Sequence, residues 1–444
     1  MGRTLIIAPW GQPAGWKNKV YVSDGVKVES CTSLSLVVEK FRHEDFDVAI
    51  LALDSLVDEY GGQGSESKCY ACYEGLRNVI RGSADAKSYT ELRENLTAFL
   101  KQFIECLGLP HDSLVVVCPA VGNPGGKWRF VGAPSDFEAL ALHMLGKKCA
   151  ETDYTRIVLD LSHGINFMPA VTLKLANWLI SLILAAHGGD GKELENGVEL
   201  QVYNSDPSPP TGGDTSLNVN LIARNRVKTI IVPHQLSGWL LKNRGKDKAL
   251  SDKIKNLNTQ YRETVQLTLS AVYYPLPLAL CEAVHENMSP IQLLKEAFDL
   301  WCQHITIGSG VVERPLEISS DAVYALLLTE AVRKRVAGMG KMPTLEDLRP
   351  LAKFYKVVNE SFYYLIMDEK HRIERKLFSR ANEWVSLSSL YGDEERTSPD
   401  KRIMIAHAGL QKELVEINIQ TRQLRYREGA RKSVEGADLM LSCI

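Results

Sequence analysis

The first half of the chain alternates short apolar runs with longer stretches of helical periodicity. In the helical stretches, apolar residues recur three and four positions apart, as they do on one face of a helix. Strands that alternate with helices are typical of a parallel sheet covered by helices, so we predict an α/β, Rossmann-like domain over residues 1–222. The predicted strands are 4–8, 47–53, 113–118, 156–160 and 198–203, and the predicted helices are 88–107, 135–145 and 170–184.

The second half has a different pattern. Residues 223–275 are rich in Lys and Arg, and two candidate helices, near 235–242 and 250–270, predict a basic insert similar to a helix-turn-helix. Such an insert could contact nucleic acid, or it could be a solvated connector or a protein contact. From 276 to 444 no strand signal is found, and we predict an all-helical domain. Its predicted helices are 291–304, 321–335, 344–358, 362–384 and 399–420.

Composition narrows the class of protein. The 444 residues carry a formal net charge of −2, so any basic surface must be local. Among nine scattered cysteines, Cys69 and Cys72 form a C-x-x-C with no second pair at zinc spacing, and we expect ordinary thiols. The N-terminus begins directly with a predicted strand, and the apolar run 173–186 is interrupted by Lys174 and Asn177. We therefore expect a cytoplasmic protein with no secretory leader and no membrane segment.

The last predicted helix carries the candidate chemistry. Ser398 suits the N-cap, Pro399 the first helical position, and Asp400 the positive end of the helix dipole. Arg402 and His407 follow in the first two turns. Arg supplies a fixed charge that matches phosphate, and His exchanges a proton near neutral pH, so the pair suits cleavage of a phosphodiester without a metal.

The spacing of this pair constrains how it works. Arg402 and His407 are about 140° apart round a straight helix and about 7.5 Å apart along it, so one straight helix does not direct both at one phosphate. Either the helix is distorted near Gly409, or a second copy of the chain completes the site. Arg156 and His163 are a decoy of similar spacing, so spacing by itself does not identify the site. Residues 396–432 hold nine basic and four acidic side chains, a local charge suited to a polyanion.

The ends of the predicted strands suggest a second site. In open α/β sheets ligands bind beyond the carboxyl ends of the strands, and here those ends are rich in Gly, Pro and polar residues. No G-x-G-x-x-G is present, which argues against a dinucleotide site. The loops suggest a broad pocket in which Ser162, His163 and Asn166 face a polar ligand. The alternative is that Gly and Pro are plain turn residues here.

With these features the chain resembles the CRISPR-associated CARF–HEPN ribonucleases, the accessory effectors of type III antiviral systems. The motifs that carry the resemblance are Gly11-Gln-Pro13, Asp160-Leu-Ser-His-Gly-Ile-Asn166, Tyr203-Asn-Ser-Asp206 and Arg402-Ile-Met-Ile-Ala-His407-Ala-Gly-Leu410. The resemblance implies that the N-terminal domain binds a cyclic oligoadenylate, with cyclic tetra-adenylate as the expected allosteric activator and no other cofactor or metal. The ligand contacts that it implies are Trp10, Gly11, Pro13, Asp54, Ser162, His163, Gly164 and Asn166.

The resemblance also implies a homodimer or higher homo-oligomer. Two copies of Arg402 and His407 would then form one composite site for single-stranded RNA, in which the 2′-hydroxyl of the RNA attacks the adjacent phosphate. Two rival functions stay open. One is a ligand-responsive transcription regulator whose basic insert binds DNA. The other is a sensor that also hydrolyses its cyclic ligand in the N-terminal pocket.

Overall fold

The computed structural model describes residues 2–58, 68–188, 194–207, 216–245, 248–285, 289–377, 384–392 and 401–427. Within these ranges the strands are β1 (Arg3–Trp10), β2 (Lys19–Ser23), β3 (Val26–Ser30), β4 (Phe46–Leu53), β5 (Leu114–Cys118), β6 (Arg129–Val131), β7 (Tyr154–Asp160), β8 (Val198–Ser205), β9 (Leu217–Val227), β10 (Leu241–Asn243), β11 (Thr306–Gly308), β12 (Val311–Glu313), β13 (Leu316–Ile318), β14 (Trp384–Ser386), β15 (Val415–Asn418) and β16 (Leu424–Tyr426). The α-helices are α1 (Leu34–Phe41), α2 (Lys68–Gly75), α3 (Arg77–Ser83), α4 (Tyr89–Cys106), α5 (Ser135–Glu151), α6 (Met168–His187), α7 (Lys248–Tyr273), α8 (Pro277–Val284), α9 (Pro290–Gln303), α10 (Ser320–Val336), α11 (Leu348–Lys356), α12 (Glu360–Glu374), α13 (Leu387–Tyr391) and α14 (Lys401–Ala406).

An eight-stranded sheet forms the centre of the N-terminal half, in the order β3-β2-β9-β8-β7-β1-β4-β5. The run from β8 to β5 is parallel and consists of the five strands predicted from the sequence. β1 and β4 bury nearly all of their residues, as expected for strands that are covered on both faces. The predicted helices α4, α5 and α6 pack against the sheet. The prediction of a Rossmann-like α/β domain is confirmed.

Three strands of this sheet were not predicted. β2 and β3 form a hairpin around Asp24 and Gly25, whose φ angles of 47° and 81° are those of a tight two-residue turn. β9 pairs antiparallel with β8 as far as Val227, so the sheet continues beyond the predicted boundary at residue 222. Polar residues interrupt the apolar ones along these three strands, so a search for continuous apolar runs misses them.

No helix-turn-helix forms in the described residues of the basic insert, 223–245 and 248–275, so that prediction is wrong. Of its two predicted helices only α7 forms, and residues 235–242 instead lead into β10, which pairs with β13. A long-range contact decides this conformation. The side-chain oxygen of Asn258 on α7 accepts hydrogen bonds from the backbone N–H of Leu240 (2.8 Å) and of Leu241 (3.0 Å).

The C-terminal half is largely helical, as predicted, with α9 and α10 close to their expected ranges. The expectation that it lacks strands is wrong. The helix predicted over 399–420 ends at Ala406, and left-handed residues Ala408 (φ 51°) and Gly409 (φ 66°) turn the chain. The continuation becomes β15, which pairs with β14 and β16. Val415 and Ile417 are buried two residues apart, which is the period of a strand.

The two halves share one hydrophobic core. α6 is long and apolar enough to cross a membrane by length and composition, but 67% of its most apolar window is buried inside the protein. It packs against α5 of its own half and α10 of the other half. Lys174, on the exposed side of α6, bonds to Glu138 and lies 4.2 Å from the ring of Trp178. α6 therefore behaves as the core helix predicted from the sequence.

Two disulfide bonds contradict the expectation of ordinary thiols. Cys69 and Cys72 lie three residues apart on one face of α2, and they bond to Cys31 and Cys106 respectively. The partners are 38 and 34 residues away along the chain, so spacing alone does not reveal the pairing. The two bonds fix α2 to the segment before α1 and to the end of α4.

Reduction of these bonds should lower the melting temperature by about 10 °C, because each bond closes a loop of more than thirty residues and contributes about 3–4 kcal/mol. Differential scanning fluorimetry with and without reductant measures the shift. Cys302→Ser, which replaces a free thiol, should leave both melting temperatures unchanged. An equal number of thiols titrated in denaturant before and after reduction would show that the bonds do not form.

Candidate functional site

A cavity of about 560 Å³ lies at the edge of the main sheet, beyond the ends of β1, β7 and β8. Sequence analysis placed a pocket at these strand ends. Ser162 and His163 line the cavity as predicted. The other lining residues come from the loop after β1, from β2, from the segment before α1, from the end of β8 with its following residues and from the start of β9: Gly15, Trp16, Lys17, Lys19, Tyr21, Cys31, Asn204, Ser205, Asp206, Pro207 and Leu217.

Buried Asp160 holds the loop that carries Ser162. Its carboxylate accepts hydrogen bonds from the hydroxyls of Ser162 (2.6 Å) and Ser33 (2.7 Å). The Ser162 hydroxyl in turn accepts a bond from the backbone N–H of Ser205 (2.9 Å). Asp160 thus links the segments of Ser33 and Ser162 directly and that of Ser205 through Ser162, which fixes this wall of the cavity.

His163 is held as a neutral ring. Its Nε2 accepts a hydrogen bond from the backbone N–H of Ser33 (3.3 Å), so the proton of the neutral ring lies on Nδ1, and the Tyr21 hydroxyl donates to the same Nε2 (3.3 Å). Burial lowers the pKa of His163 and outweighs the opposing effect of Asp160. The ring of Trp16 lies 4.4 Å from that of His163. This aromatic wall suits a stacked base more than it suits an acid–base catalyst.

Two glycines allow the loops to approach each other. The N–H of Gly11 donates to the carbonyl of His163 (2.8 Å), and a Cβ on Gly11 would lie only 2.5 Å from Ile165. A Cβ on Gly164 would lie 2.8 Å from Pro169. Any larger residue at either position would displace the loop that carries His163. Asn166, which was predicted to face the ligand, is exposed with a φ of 52° and does not line the cavity.

Three other predicted ligand contacts are buried and do not reach the cavity. Trp10 is 1% exposed and packs edge-on against Trp16 at 5.1 Å. Pro13 is buried in a short 3₁₀ turn. Asp54 is fully buried, and its carboxylate is satisfied by Arg314 (2.5 Å), Tyr89 (3.0 Å) and the N–H of Ala120 (2.7 Å). For these residues the geometry supports structural roles: Trp10 and Pro13 support the cavity wall, and Asp54 joins the two halves of the chain.

A second cavity, of about 460 Å³, surrounds His407. α14 ends one residue before this histidine, so the predicted distortion near Gly409 is present. Gly409 is required at the turn, since its φ is positive and a Cβ there would lie 2.8 Å from the Tyr426 hydroxyl. Arg402 is exposed on the first turn of α14 and does not line this cavity. Ser398, Pro399 and Asp400 lie outside the described residues.

The partner of His407 is an acidic side chain that the sequence did not reveal. Glu369 on α12 is 7% exposed, and its Oε1 accepts a hydrogen bond from Nδ1 of His407 (3.0 Å). The same oxygen accepts from Arg372, also at 3.0 Å. With its proton on Nδ1, His407 presents Nε2 as the nitrogen available to a substrate. An imidazole oriented by a carboxylate is a common arrangement for acid–base catalysis.

Comparison with known proteins identifies both domains. The family model for the CARF domain of the CRISPR system endoribonuclease Csx1 matches residues 5–207, and the model for the HEPN domain of that enzyme matches residues 329–428. This chain belongs to the CARF–HEPN ribonucleases of CRISPR systems. The CRISPR system endoribonuclease Csx1 of Methanocaldococcus jannaschii is 25% identical to it, over 94% of this chain and 86% of that protein.

Both cavities fall inside the matched domains of the ribonuclease. The CARF match contains every residue that lines the cavity at the strand ends except Leu217, and the HEPN match contains Glu369, Arg402 and His407. The prediction of an endoribonuclease is confirmed. The basic insert with β10 and α7 lies between the two matches.

Two groups of residues in these cavities are not evident from the sequence pattern. In the CARF cavity, Lys17 lies just before β2 and Lys19 is its first residue. This strand has no continuous apolar run. The alternating pattern of that strand was the available signal. Glu369 is one of 54 acidic residues and lies 38 positions from His407, so no local signal identifies it.

Proposed function

We propose that a cyclic oligoadenylate, with cyclic tetra-adenylate as the first candidate, binds in the CARF cavity and switches on the ribonuclease. The character of the cavity supports this proposal. Lys17 and Lys19 offer positive charge to phosphates, and the half-buried ring of Trp16 offers a face to adenine. Asp206 also lines this cavity, and hydrogen bonds from Asn220 and Asn218 lower its pKa. Asp206 is therefore a fixed carboxylate near the rim of the cavity.

The proposed ligand is shared by two chains. A cavity of about 560 Å³ accommodates a drug-sized molecule, which is closer to half of a tetranucleotide ring than to all of it. A two-fold symmetric ligand would therefore lie across the CARF domains of a homodimer. The cytoplasm is the proposed compartment.

The proposed reaction is metal-independent cleavage of single-stranded RNA. The 2′-hydroxyl of the RNA attacks the adjacent phosphorus, the bond to the 5′-oxygen breaks, and the products are a 2′,3′-cyclic phosphate and a 5′-hydroxyl. Nε2 of His407 exchanges the proton, and Arg402 stabilises negative charge on the phosphoryl oxygens. Arg402 lies outside the His407 cavity of its own chain, which supports a composite site built by two HEPN domains.

Activation is proposed to be a shift between two arrangements of the dimer. The ligand can favour the active arrangement only if it binds that arrangement more tightly. Buried contacts across the chain provide a route, because Arg314, next to β12, bonds to Asp54 of the CARF domain. The strand after it, β13, leads into α10, which packs against α5 and α6.

The proposal is tested by RNA cleavage in the presence of chelator, with and without cyclic tetra-adenylate. We expect the ligand to raise the cleavage rate and the products to carry a 2′,3′-cyclic phosphate. A rate that does not change, with no binding by calorimetry, would refute activation by this ligand. A requirement for added divalent metal would refute the chemistry. Of the two helices that favoured a transcription regulator, one forms in the described residues of the insert and the other is replaced by β10 and the segment before it, which weakens the support for that function.

Glu369 is expected to act as a positioning residue for His407. Glu369→Gln should lower kcat for RNA by about 10- to 100-fold, because the amide no longer fixes the proton of His407 on Nδ1. KM should stay within about twofold, and Glu369→Asp should retain more activity than Glu369→Gln. Glu374→Gln is the matched control, because it removes a half-buried carboxylate of the same helix that bonds to Lys370 and does not line the cavity. If Glu369→Gln and Glu369→Asp lost the same amount of kcat and the same amount of thermal stability, the role of Glu369 would be purely structural.

A further inference from the structure

One face of α7 carries a line of cations. Lys248, Lys255 and Arg262 are exposed and seven residues apart, which places neighbours about 10.5 Å from each other and within about 20° round the axis. Gln266 and Tyr273 continue the same line toward the end of the helix. The protein as a whole has a net charge of −2, so this line is a local feature.

The line begins at an aromatic groove. A cavity of about 440 Å³ lies between β10 and α7, and its lining includes Trp239, Lys242, Lys255 and Arg262. The Lys242 ammonium lies 5.8 Å from the centre of the Trp239 ring. The Asn258 side chain bonds to the backbone on the other side of the groove at Leu240 and Leu241, so both walls are held together.

The same line ends beside the catalytic helix. Tyr273, 38% exposed, lines a further cavity of about 420 Å³ together with Tyr274, Phe362 and Ile405. Ile405 belongs to α14, the helix that carries Arg402. From Lys255 to Tyr273 the helix rises about 27 Å. The line thus runs from the basic groove in the insert, through half-buried Gln266, to an aromatic cavity next to α14.

We propose that this face of α7 is a track that binds single-stranded RNA and leads it to the HEPN site. Phosphates would contact the cations, and bases would stack on Trp239 at one end and on Tyr273 at the other. Alternation of cations with ring faces is how proteins bind single strands without reading sequence, over about four or more nucleotides. The half-buried ring of Trp239 and the exposed ring of Tyr273 favour a single strand, because the bases of a duplex are already stacked on each other.

The electrostatics of the neighbouring surface are consistent with this occupant. Asp252 and Glu263 lie about 60–80° round the axis from the line, and so they flank the track without interrupting it. Lys253 lies on the opposite face, about 160° away, and is exposed as well. It therefore serves as a control for a cation of α7 that is off the track.

A measurement of RNA binding tests the proposed track independently of RNA cleavage. The inference rests on the proposed RNA cleavage, so the measurement uses the full-length His407→Ala variant as the parent protein. Its binding to a fluorescein-labelled single-stranded RNA of mixed sequence is followed by fluorescence anisotropy at increasing salt concentrations. Adding Lys242→Ala, Lys255→Ala and Arg262→Ala should raise Kd by about tenfold or more and reduce the slope of log K against log salt by about 2. Trp239→Leu should weaken binding by a few-fold with an unchanged salt slope.

Two controls make the result specific. Lys253→Ala, and a charge-matched triple variant of Lys101, Lys147 and Lys295 to Ala on α4, α5 and α9, should bind RNA like the parent protein. An all-deoxy strand should bind the parent with similar affinity, because stacking and phosphate contacts do not need the 2′-hydroxyl.

The outcomes distinguish this inference from the proposed function. Unchanged Kd in the track variant, with an unchanged melting temperature and with RNA still cut by the wild type, would overturn the track alone. Tighter binding of duplex than of single strand would also overturn it. A wild type that neither binds nor cuts RNA would overturn both proposals.

Discussion

His407→Ala should lower the rate of RNA cleavage by about 10²–10⁴-fold, the range expected for loss of a general acid or base. The imidazole lies in the HEPN cavity with Nδ1 bonded to Glu369 at 3.0 Å, and so only Nε2 is left for the substrate. Alanine removes that nitrogen and leaves the backbone turn at Ala408 and Gly409 intact. The cleavage rate at saturating RNA, with activator present, measures the effect.

A matched histidine and a matched substrate make this result specific. His371→Ala removes an exposed imidazole of α12 that does not line the cavity, and it should cut RNA at the wild-type rate. An RNA with a single 2′-deoxy residue at the cleaved linkage should resist cleavage there, because it lacks the nucleophile. Retained activity in His407→Ala would refute the residue assignment. An all-deoxy strand cut as fast as RNA would refute the chemistry.

Arg314→Ala should lower the free energy of unfolding by about 3–5 kcal/mol. The Arg314 side chain is fully buried, and it donates to Asp54 (2.5 Å) and to the carbonyl of Ala120 (2.8 Å) while it lies 5.7 Å from the centre of the Tyr89 ring. Burial by itself would lower the pKa of Arg314, but Asp54 and Tyr89 raise it, so the guanidinium stays charged. Its removal leaves the Asp54 carboxylate buried without its counter-ion.

Chemical denaturation of wild type and variants measures this effect. The double variant Asp54→Asn with Arg314→Met removes both charges and should be more stable than Arg314→Ala. Arg422→Ala breaks an exposed ion pair with Glu346 and should cost less than about 1 kcal/mol. An Arg314→Ala protein as stable as Arg422→Ala would show that the buried pair does not join the two halves. If the pair also transmits activation, the double variant should respond less to cyclic tetra-adenylate.

Features set by local periodicity were predictable from the sequence alone. The five parallel strands, α4, α6, α9 and α10 follow from apolar positions that recur at the period of their own element, which needs no knowledge of distant residues. A cavity at the ends of parallel strands follows from topology, and Ser162 and His163 line it. The Arg402–His407 motif was readable because both residues lie within one short segment.

Features set by long-range contacts were decided only by the tertiary structure. Asp54 resembled a ligand contact at a strand end, but Arg314, 260 residues away, occupies it. Cys69 and Cys72 gained partners from α4 and from the segment before α1. Residues 415–418 became a strand because β14 and β16 flank them, and Glu369 reached His407 from another helix. In each case the deciding partner is distant along the chain, and local periodicity contains no information about it.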